Sequence, residues 1–335
     1  MDASFRAIQR FVAERVPGAR LHSAEGAPPL EATAGRGVAE EARLAPAPPL
    51  EGHAVRAVRV EGDPAAGFAA FLDGAQHSRV LFHCDGFPVV VGTVAAVVRL
   101  RANRKLHTWP RGPRVQRAVY APCAYLPADA RDALRAAGAA RGVEVVDTTA
   151  AARDEERPSA HPIALLERAL SFVQEDREHA EKQLAEEWCR YAEGPIFIDG
   201  SIQESELVAT APCAVGVIKS HRTLYVDGGA LRAVLALRRG QRSTAFRVAS
   251  SRRTPVASWY LRLRDPAGRD PMWGLVRVEA ADRGVGESPE ALTRRADQIS
   301  RWILAEATPL ALPDGRWDKM VYGIRDCEEF LRAVC

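Results

Sequence analysis

The chain has 335 residues, of which 47 % are apolar and 27 % are charged, so it can bury a large core in one domain or two. Its net charge is only +3, so composition alone does not demand a nucleic-acid partner. It has six scattered cysteines without a CxxC pair, no apolar leader and no apolar run of about 18 residues, which argues against zinc, secretion and a membrane span and predicts a cytoplasmic protein.

The first 52 residues differ in pattern from the rest of the chain. Residues 4–15 are predicted to form a short amphipathic helix, with four apolar side chains on one face: Phe5, Ile8, Phe11 and Val12. Residues 17–52 are rich in Ala, Pro, Gly and Glu without periodicity and are predicted to be irregular. We therefore divide the chain into an N-terminal region, 1–52, and a main domain, 53–335.

Strands dominate the start of the main domain. Residues 55–60 alternate apolar and charged side chains, as a half-exposed strand does. Three further strands are predicted as a meander, with Asp85-Gly86 as a hairpin turn, at 68–73, 79–84 and 88–100. Residues 103–118 are basic, contain Trp-Pro and Gly-Pro, and are predicted to form a loop.

A long helix separates this meander from a fourth strand. Apolar residues at helical spacing predict a helix over 161–192, which ends at Gly194-Pro195, and 196–199 is a buried strand. A helix at 127–141 and a short strand at 143–146 precede it. After it we expect strands near 213–219, 222–227, 256–263 and 273–280, and helices near 229–239 and 288–305.

This order of elements resembles that of a ribonuclease H-like core, in which the first and fourth strands lie adjacent and parallel and each supplies a metal-binding carboxylate. We predict an α/β fold with a ribonuclease H-like mixed sheet flanked by helices. Further α/β elements are added on its C-terminal side.

An apolar run that ends in Asp-Gly occurs twice, at Asp73-Gly74 and at Asp199-Gly200. A single Asp-Gly is usually only a turn. Two such strand ends in one sheet would bring Asp73 and Asp199 together, and paired carboxylates hold Mg²⁺ or Mn²⁺, which serve phosphodiester chemistry. Both aspartates are therefore predicted to be catalytic metal ligands.

A two-metal site needs another carboxylate, and the long helix carries several acidic residues, most of which must be solvated surface charges. Glu178 and Glu181 are one turn apart and share a face of the helix. We favour Glu181 as a metal ligand and place Glu178 second. Glu204 and Glu206, just after Asp199, are less favoured.

Two basic residues end or interrupt apolar strands near these carboxylates. Lys219 closes the run Ala214–Ile218, where a lysine can bind phosphate or stabilise transition-state charge, or simply extend to solvent. Arg277 and Glu279 alternate with valines and share a face, so they form either an ion pair or part of the site.

Arginine-rich stretches with interleaved aromatic residues occur near 99–117 and 238–260. Such stretches are usually solvated faces, but the combination also suits phosphate contacts and base stacking. The residues predicted to bind nucleic acid are Arg101, Arg104, Lys105, Trp109, Arg242 and Arg277.

Several of these stretches resemble motifs of the NurA family of DNA-repair nucleases. Leu72–Gln76 and Ile196–Ser201 are similar to its two Asp-Gly-Ser motifs, and Val215–Ser220 is similar to a Gly-Val-x-Lys strand. Gly240–Phe246, Trp259–Leu263 and Val276–Glu279 resemble later strands, so that the match in motif order covers roughly residues 65–280.

The resemblance implies a homodimeric nuclease that depends on Mn²⁺, or alternatively on Mg²⁺, and acts on DNA ends. It also implies a partner, a hexameric HerA-like translocase, and a role in repair or phage defence. It also implies that Asp73, Asp199 and a helix glutamate hold the metal. Tyr322 corresponds to a C-terminal tyrosine of the family. The histidine that follows it in the family has no counterpart, because His221 is the last histidine of this chain.

Two other functions remain open on the sequence alone. The missing histidine suits a catalytically inactive ribonuclease H-like module that binds a translocase or nucleic acid. An unrelated α/β enzyme that uses its Asp-Gly pairs only as turns is the third possibility.

Overall fold

The computed structural model describes residues 3–16, 19–21, 42–103, 105–150, 159–192, 194–251, 253–266, 268–307, 319 and 321–335. Its helices are α1 (Ala3–Arg15), α2 (Ala128–Ala139), α3 (Pro162–Tyr191), α4 (Glu206–Thr210), α5 (Gly228–Leu235), α6 (Pro289–Glu306) and α7 (Tyr322–Val334).

The described residues also form fifteen strands. In chain order they are β1 (Ala19–Leu21), β2 (Arg43–Leu44), β3 (Ala57–Arg59), β4 (Ala70–Cys84), β5 (Phe87–Ala102), β6 (Lys105–Thr108), β7 (Arg114–Ala121), β8 (Glu144–Asp147), β9 (Ile196–Asp199), β10 (Ala214–Ile218), β11 (Thr223–Leu224), β12 (Gln241–Ser243), β13 (Phe246–Ser250), β14 (Arg253–Arg262) and β15 (Leu275–Ala281).

Thirteen strands form one mixed sheet in the order β3-β12-β14-β15-β10-β9-β4-β5-β7-β8, with β1, β13 and β6 paired alongside β4, β14 and β5. β2 and β11 make a separate parallel pair. In the centre, β4, β5 and β7 form an antiparallel meander, while β9 is parallel to β4 and β10 is parallel to β9. This is the strand order 3-2-1-4-5 of a ribonuclease H-like core, and the predicted mixed α/β sheet flanked by helices is confirmed.

The meander is built differently from the prediction. The predicted strands 68–73 and 79–84 are parts of one 15-residue strand, β4, which runs through Asp73-Gly74 without turning. The hairpin does turn at Asp85-Gly86, where both residues have positive φ. The third meander strand is β7, which begins inside the predicted loop 103–118. The sequence did not indicate it, because only the second half of β7 is buried and its first half carries mainly exposed, polar side chains.

Elements toward the C-terminus follow the expected order more closely. The predicted strands near 256–263 and 273–280 are β14 and β15, and the predicted helices near 229–239 and 288–305 are α5 and α6. Helix α7 was not predicted, although its buried residues recur at helical spacing. Strand β12 lies within Gly240–Phe246, one of the stretches that resemble later strands, whereas the short strand β13 was missed.

The central sheet is covered on both faces because side chains alternate along β4 and β5. Phe71 and Val97 face a cluster that includes Ile303 of α6 and Ile324 of α7. The neighbouring residues of these strands face the opposite cluster, to which α3 contributes Ala180, Leu184 and Trp188. Helix α3 begins at Pro162, with the His161 side chain accepting a hydrogen bond from the Ile163 N–H group.

The described parts of the first 52 residues pack onto this same body. Helix α1 buries Phe5, Ile8 and Val12 in a cluster shared with β4 and α2. Glu51 forms a buried ion pair with Arg242, with Oε2 and Nη1 2.7 Å apart. The rest of the predicted irregular segment, 17–18 and 22–41, lies outside the described residues.

None of the helices in the described ranges combines the length and the apolar character that a membrane crossing requires. Even α3, with 30 residues, carries charged side chains along its length.

Candidate active site

The two aspartates lie side by side on neighbouring strands. β4 and β9 are parallel, with Leu72 opposite Ile198, so the next pair in this register is Asp73 and Asp199. Adjacent strands are ~4.8 Å apart, and residues in register point to the same face of a sheet. The predicted juxtaposition therefore follows directly from the strand pairing, although β4 continues past it and β9 ends there.

Asp73 is nearly inaccessible, with 8 % of its surface exposed. Burial raises its pKa well above the usual value, and the charges of Asp199 and Glu181 raise it further, while Lys219 opposes them. The Gly74 N–H group donates a hydrogen bond to Asp73 Oδ1 at 2.9 Å. The charges of Asp199 and Glu181 therefore both disfavour the ionised form of Asp73.

Glu181 reaches this position from α3 because residue 74 has no side chain. A Cβ atom on Gly74 would lie 2.0 Å from Glu181 Oε1, closer than real contacts allow. Burial raises the pKa of Glu181 to about 7, against the lowering effect of Arg177, and the charges of Asp199 and Glu178 add to the rise. Gly74 therefore has a steric role where the sequence predicted a turn.

Two cations neutralise part of this acidic cluster. Lys219 follows β10 and places Nζ 2.7 Å from Asp199 Oδ2. Arg177, one turn before Glu181 on α3, places Nη1 2.5 Å from Glu181 Oε1 and donates from Nε to Gln76 Oε1 at 3.0 Å. Each ion pair stabilises a carboxylate charge that would otherwise repel its neighbours.

The donor set matches a hard divalent cation in chemistry, because carboxylate oxygens are the ligands that Mg²⁺ and Mn²⁺ prefer. A cation would also relieve the repulsion that raises the pKa values of Asp73 and Glu181. Across the described residues, however, no group of three or more acidic, histidine or cysteine side chains is already arranged as a metal site. Lys219 and Arg177 hold two of the candidate ligands in ion pairs instead.

Arg277 and Glu279 form a buried ion pair that fixes the chain segment after Asp199. Arg277 Nη1 is 2.6 Å from Glu279 Oε1. Glu279 Oε2 accepts hydrogen bonds from Ser201 Oγ at 2.8 Å and from the Ile202 N–H group at 3.0 Å. Of the two readings left open by the sequence, the ion pair is present, and Arg277 also lines the cleft beside Asp199.

A cleft of about 1500 Å³ opens over Asp73 and Asp199. Seven basic side chains and three acidic ones line it, and the basic ones are Arg43, Arg177, Lys219, Arg222, Arg253, Arg277 and Arg332. A smaller cavity of about 250 Å³ adjoins it at Arg177 and Asp199 and contains Glu178, Glu181 and Glu204. Asp199 thus lies where the basic cleft meets the smaller, more acidic cavity.

Most residues predicted to bind nucleic acid have internal partners, and these predictions are corrected. Arg242 is 1 % exposed and pairs with both Glu51 and Asp297. Arg101 makes a two-pronged contact with Glu306, at 2.7 and 2.8 Å.

Trp109 is corrected for the same reason, because it packs edge-on against Trp188 in the core. Lys105 is exposed on β6 but does not line the cleft. Arg277, by contrast, does line the cleft. Arg104 lies outside the described residues.

The remaining candidates lie at varying distances from the carboxylates. Glu178 lines the small cavity and pairs with Arg177 at 3.4 Å. Glu204 lines the same cavity and pairs with Arg253, while Glu206 is an exposed residue in the first turn of α4. Tyr322 is 57 % exposed at the start of α7, whereas the α7 residues in the cleft lining come from its second half.

Sequence reasoning identified Lys219 and Arg277 but missed the other basic residues of the cleft. Arg177 was overlooked, although its position four residues before Glu181 could have indicated an ion pair. Arg43, Arg222 and Arg332 belong to separate segments, and no local pattern unites them.

Comparisons with known proteins add little beyond this geometry. No protein-family model and no curated protein matches the chain. Among solved structures, the chain is similar to the NurA nuclease from Sulfolobus solfataricus, with 11 % identity, 82 % of each chain covered and a TM-score of 0.47. At this identity and score, the similarity establishes neither a family nor an activity.

Proposed function

We propose that this chain is a metal-dependent nuclease that hydrolyses phosphodiester bonds in DNA. The observation that carries the proposal is the pairing of Asp73 and Asp199 at the floor of a basic cleft, with Glu181 in the adjoining small cavity. Basic side chains in a cleft attract the phosphate backbone, and clustered carboxylates suit the divalent ions that serve phosphodiester hydrolysis.

In this proposal Asp73, Asp199 and Glu181 hold Mn²⁺ or Mg²⁺, with Glu178 as an additional ligand. The bound ions would activate water and stabilise the leaving oxygen. Lys219 and Arg177, which now pair with Asp199 and Glu181, would be available to contact phosphate oxygens beside these carboxylates. Arg277, held by Glu279, adds positive charge beside the same phosphate, which favours the extra negative charge of the transition state.

The partners follow from the sequence resemblance alone. We propose a homodimer that works with a HerA-like hexameric translocase on DNA ends. Light scattering of the purified chain should give twice the mass of the 36.4 kDa protomer. A monomer at micromolar concentration, or failure to co-purify with a co-expressed HerA-like ATPase, would remove these partners from the proposal.

Degradation of end-labelled linear DNA tests the activity. With Mn²⁺ the wild-type chain should shorten the substrate, and chelation by EDTA should stop the reaction. The double variant Asp73→Asn, Asp199→Asn should be inactive, whereas Glu329→Gln, an exposed change on α7, should retain full activity. Full activity in the double variant would disprove the proposed site, and parallel assays with single-stranded RNA would define the preferred nucleic acid.

The alternative, a catalytically inactive module, also has an observation in its favour. Asp199 and Glu181 are already paired with Lys219 and Arg177, and no ready metal geometry exists among the described residues. Calorimetric titration with Mn²⁺ separates the two functions. If the wild-type chain releases or absorbs heat on binding Mn²⁺ and Asp73→Asn does not, the result supports the nuclease. If the wild-type chain binds DNA but shows no heat of binding up to millimolar Mn²⁺, the result supports the inactive module.

A further inference from the structure

Two cysteines lie close together at the end of the sheet away from the carboxylates. Cys189 is in the last turn of α3, and Cys213 immediately precedes β10. Their Sγ atoms are 4.0 Å apart and share a hydrogen bond. Both side chains are partly exposed, in contrast to the buried Cys84, Cys123 and Cys327.

The backbone holds the two cysteines near each other. The Ile196 N–H group donates to the Cys213 carbonyl oxygen at 2.9 Å, which fixes Cys213 beside the start of β9. Trp188, next to Cys189, donates from Nε1 to the Gly194 carbonyl oxygen at 3.2 Å. Both cysteines pack against the same apolar cluster, and bond formation requires their Sγ atoms to approach by about 2 Å.

The hydrogen bond between the two thiols shifts their pKa values in opposite directions. It lowers the pKa of Cys213 to about 7, because the neighbouring thiol stabilises its thiolate. The same interaction, with burial, raises the pKa of Cys189. Cys213 is therefore the thiol that ionises first, and a thiolate is the form that reacts with peroxides and disulfides.

We propose that Cys189 and Cys213 form a reversible disulfide when the protein meets hydrogen peroxide. The Cys213 thiolate attacks one peroxide oxygen, the O–O bond breaks, and the leaving hydroxide takes a proton to become water. Cys189, deprotonated in turn, attacks the sulfur of the resulting sulfenic acid and displaces a second hydroxide, which becomes water. The two thiols lose two electrons, and the peroxide is reduced to two waters.

The bond would join α3, which carries Glu181, to β10, after which Lys219 follows. The bridged residues are 24 positions apart, and β9 with Asp199 lies between them. In the register of β9 and β10, Ile196 pairs with Ala214 at the cysteine end and Asp199 pairs with Val217 at the other. The disulfide therefore restrains the segment that carries Asp199 without entering the cleft, and it should raise stability more than it changes activity.

Peptide mapping of the intact chain tests this inference without any variant. After treatment with stoichiometric hydrogen peroxide and alkylation of remaining thiols, the peptides of Cys189 and Cys213 should appear as one cross-linked species, about 2 Da lighter than their sum. Dithiothreitol should separate them. Unmodified thiols, separate sulfinic acids, or cross-links to any other cysteine would each overturn the proposal.

Matched serine variants give a second measurement. In Cys189→Ser, the same peroxide should leave Cys213 as a sulfenic acid that dimedone traps, while Cys335→Ser should still form the disulfide. The oxidised wild-type chain should melt about 5 °C above its reduced form, and Cys189→Ser should lose this difference. Equal melting temperatures of the oxidised and reduced wild-type chain would exclude the restraining role.

Discussion

The two Asp-Gly pairs of this chain look alike in sequence and differ in structure. Asp73-Gly74 lies inside the 15-residue strand β4, whereas Asp199-Gly200 ends the four-residue strand β9. Gly200 has a φ of 137°, a conformation that favours glycine, and the chain turns there. Gly74 continues the strand, and the absence of its side chain makes room for Glu181.

The aspartates of the two pairs differ in the same way. Asp73 is buried among negative charges, which raise its pKa. Asp199 forms an ion pair with Lys219 at 2.7 Å. A short motif therefore indicates where a carboxylate lies along the chain, but the surrounding elements determine whether its charge is opposed or compensated.

The largest expected effect is a loss of nuclease activity that is the same for both aspartates. Asp73→Asn and Asp199→Asn should each reduce Mn²⁺-dependent DNA cleavage by roughly 10³-fold, about 4 kcal/mol of transition-state stabilisation, because either change removes a proposed metal ligand. Initial rates on linear DNA measure this. If one variant keeps wild-type rates, the two aspartates do not share one site.

The next effect concerns only the segment after Asp199. Glu279→Ala should lower the free energy of unfolding by about 3–5 kcal/mol, because it leaves the Arg277 guanidinium buried without its charge partner and frees Ser201 and Ile202. Urea denaturation measures the change. As a control, Glu329→Ala, which breaks a more exposed ion pair with Arg325, should cost less than about 0.5 kcal/mol.

Glu181 links the site to pH. Its pKa of about 7 lies above the ordinary 4.5, so between these values the folded protein keeps a proton that the unfolded chain has lost, and stability falls as pH rises. Glu181→Gln should remove this loss and be about 3 kcal/mol more stable than wild type at pH 8, with little difference at pH 4.5. Urea denaturation at both pH values measures it, and an equal or lower stability at pH 8 would contradict the repulsive environment.

The two glycines should respond differently to the same substitution. Gly74→Ala should displace Glu181 and reduce nuclease activity at least about tenfold, with a modest stability cost, since a carboxylate on a flexible side chain can shift. Gly200→Ala meets no atom within 4 Å but has an unfavourable φ, so it should cost about 1–2 kcal/mol of stability. Thermal melts and rates on linear DNA separate the two roles, and equal responses would remove the distinction.

The smallest expected effect is a change in stability that has opposite signs for the two aspartates. Asp73→Asn removes a buried carboxyl group whose charged form is disfavoured by burial and by its acidic neighbours, so it should raise stability at pH 7. Asp199→Asn leaves Lys219 without its ion pair and should lower stability. Melting temperatures measured without metal decide this, and a shift of the same sign in both would show that their environments are alike.

Much of this fold follows from periodicity in the sequence. The predicted helix over 161–192 corresponds to α3, and the predicted strand 196–199 is β9 without change. Such long or strongly apolar segments carry their own pattern. The division of β4 into two strands was wrong because Asp-Gly is a frequent turn, and Glu181, which explains Gly74, lies 107 positions later in the chain.

The sequence by itself indicated a mixed α/β fold and two apolar runs that end at Asp73 and Asp199, because periodicity and run ends are local properties. The bounds of the meander strands and the register that sets Asp73 beside Asp199 depend on pairing between distant segments. Only the tertiary structure decided which charges face the cleft. Arg242 and Arg101 resemble nucleic-acid contacts in sequence, yet each is held by carboxylates from distant segments. A buried guanidinium must be paired to offset its lost hydration, and its partner is known only once the chain has folded.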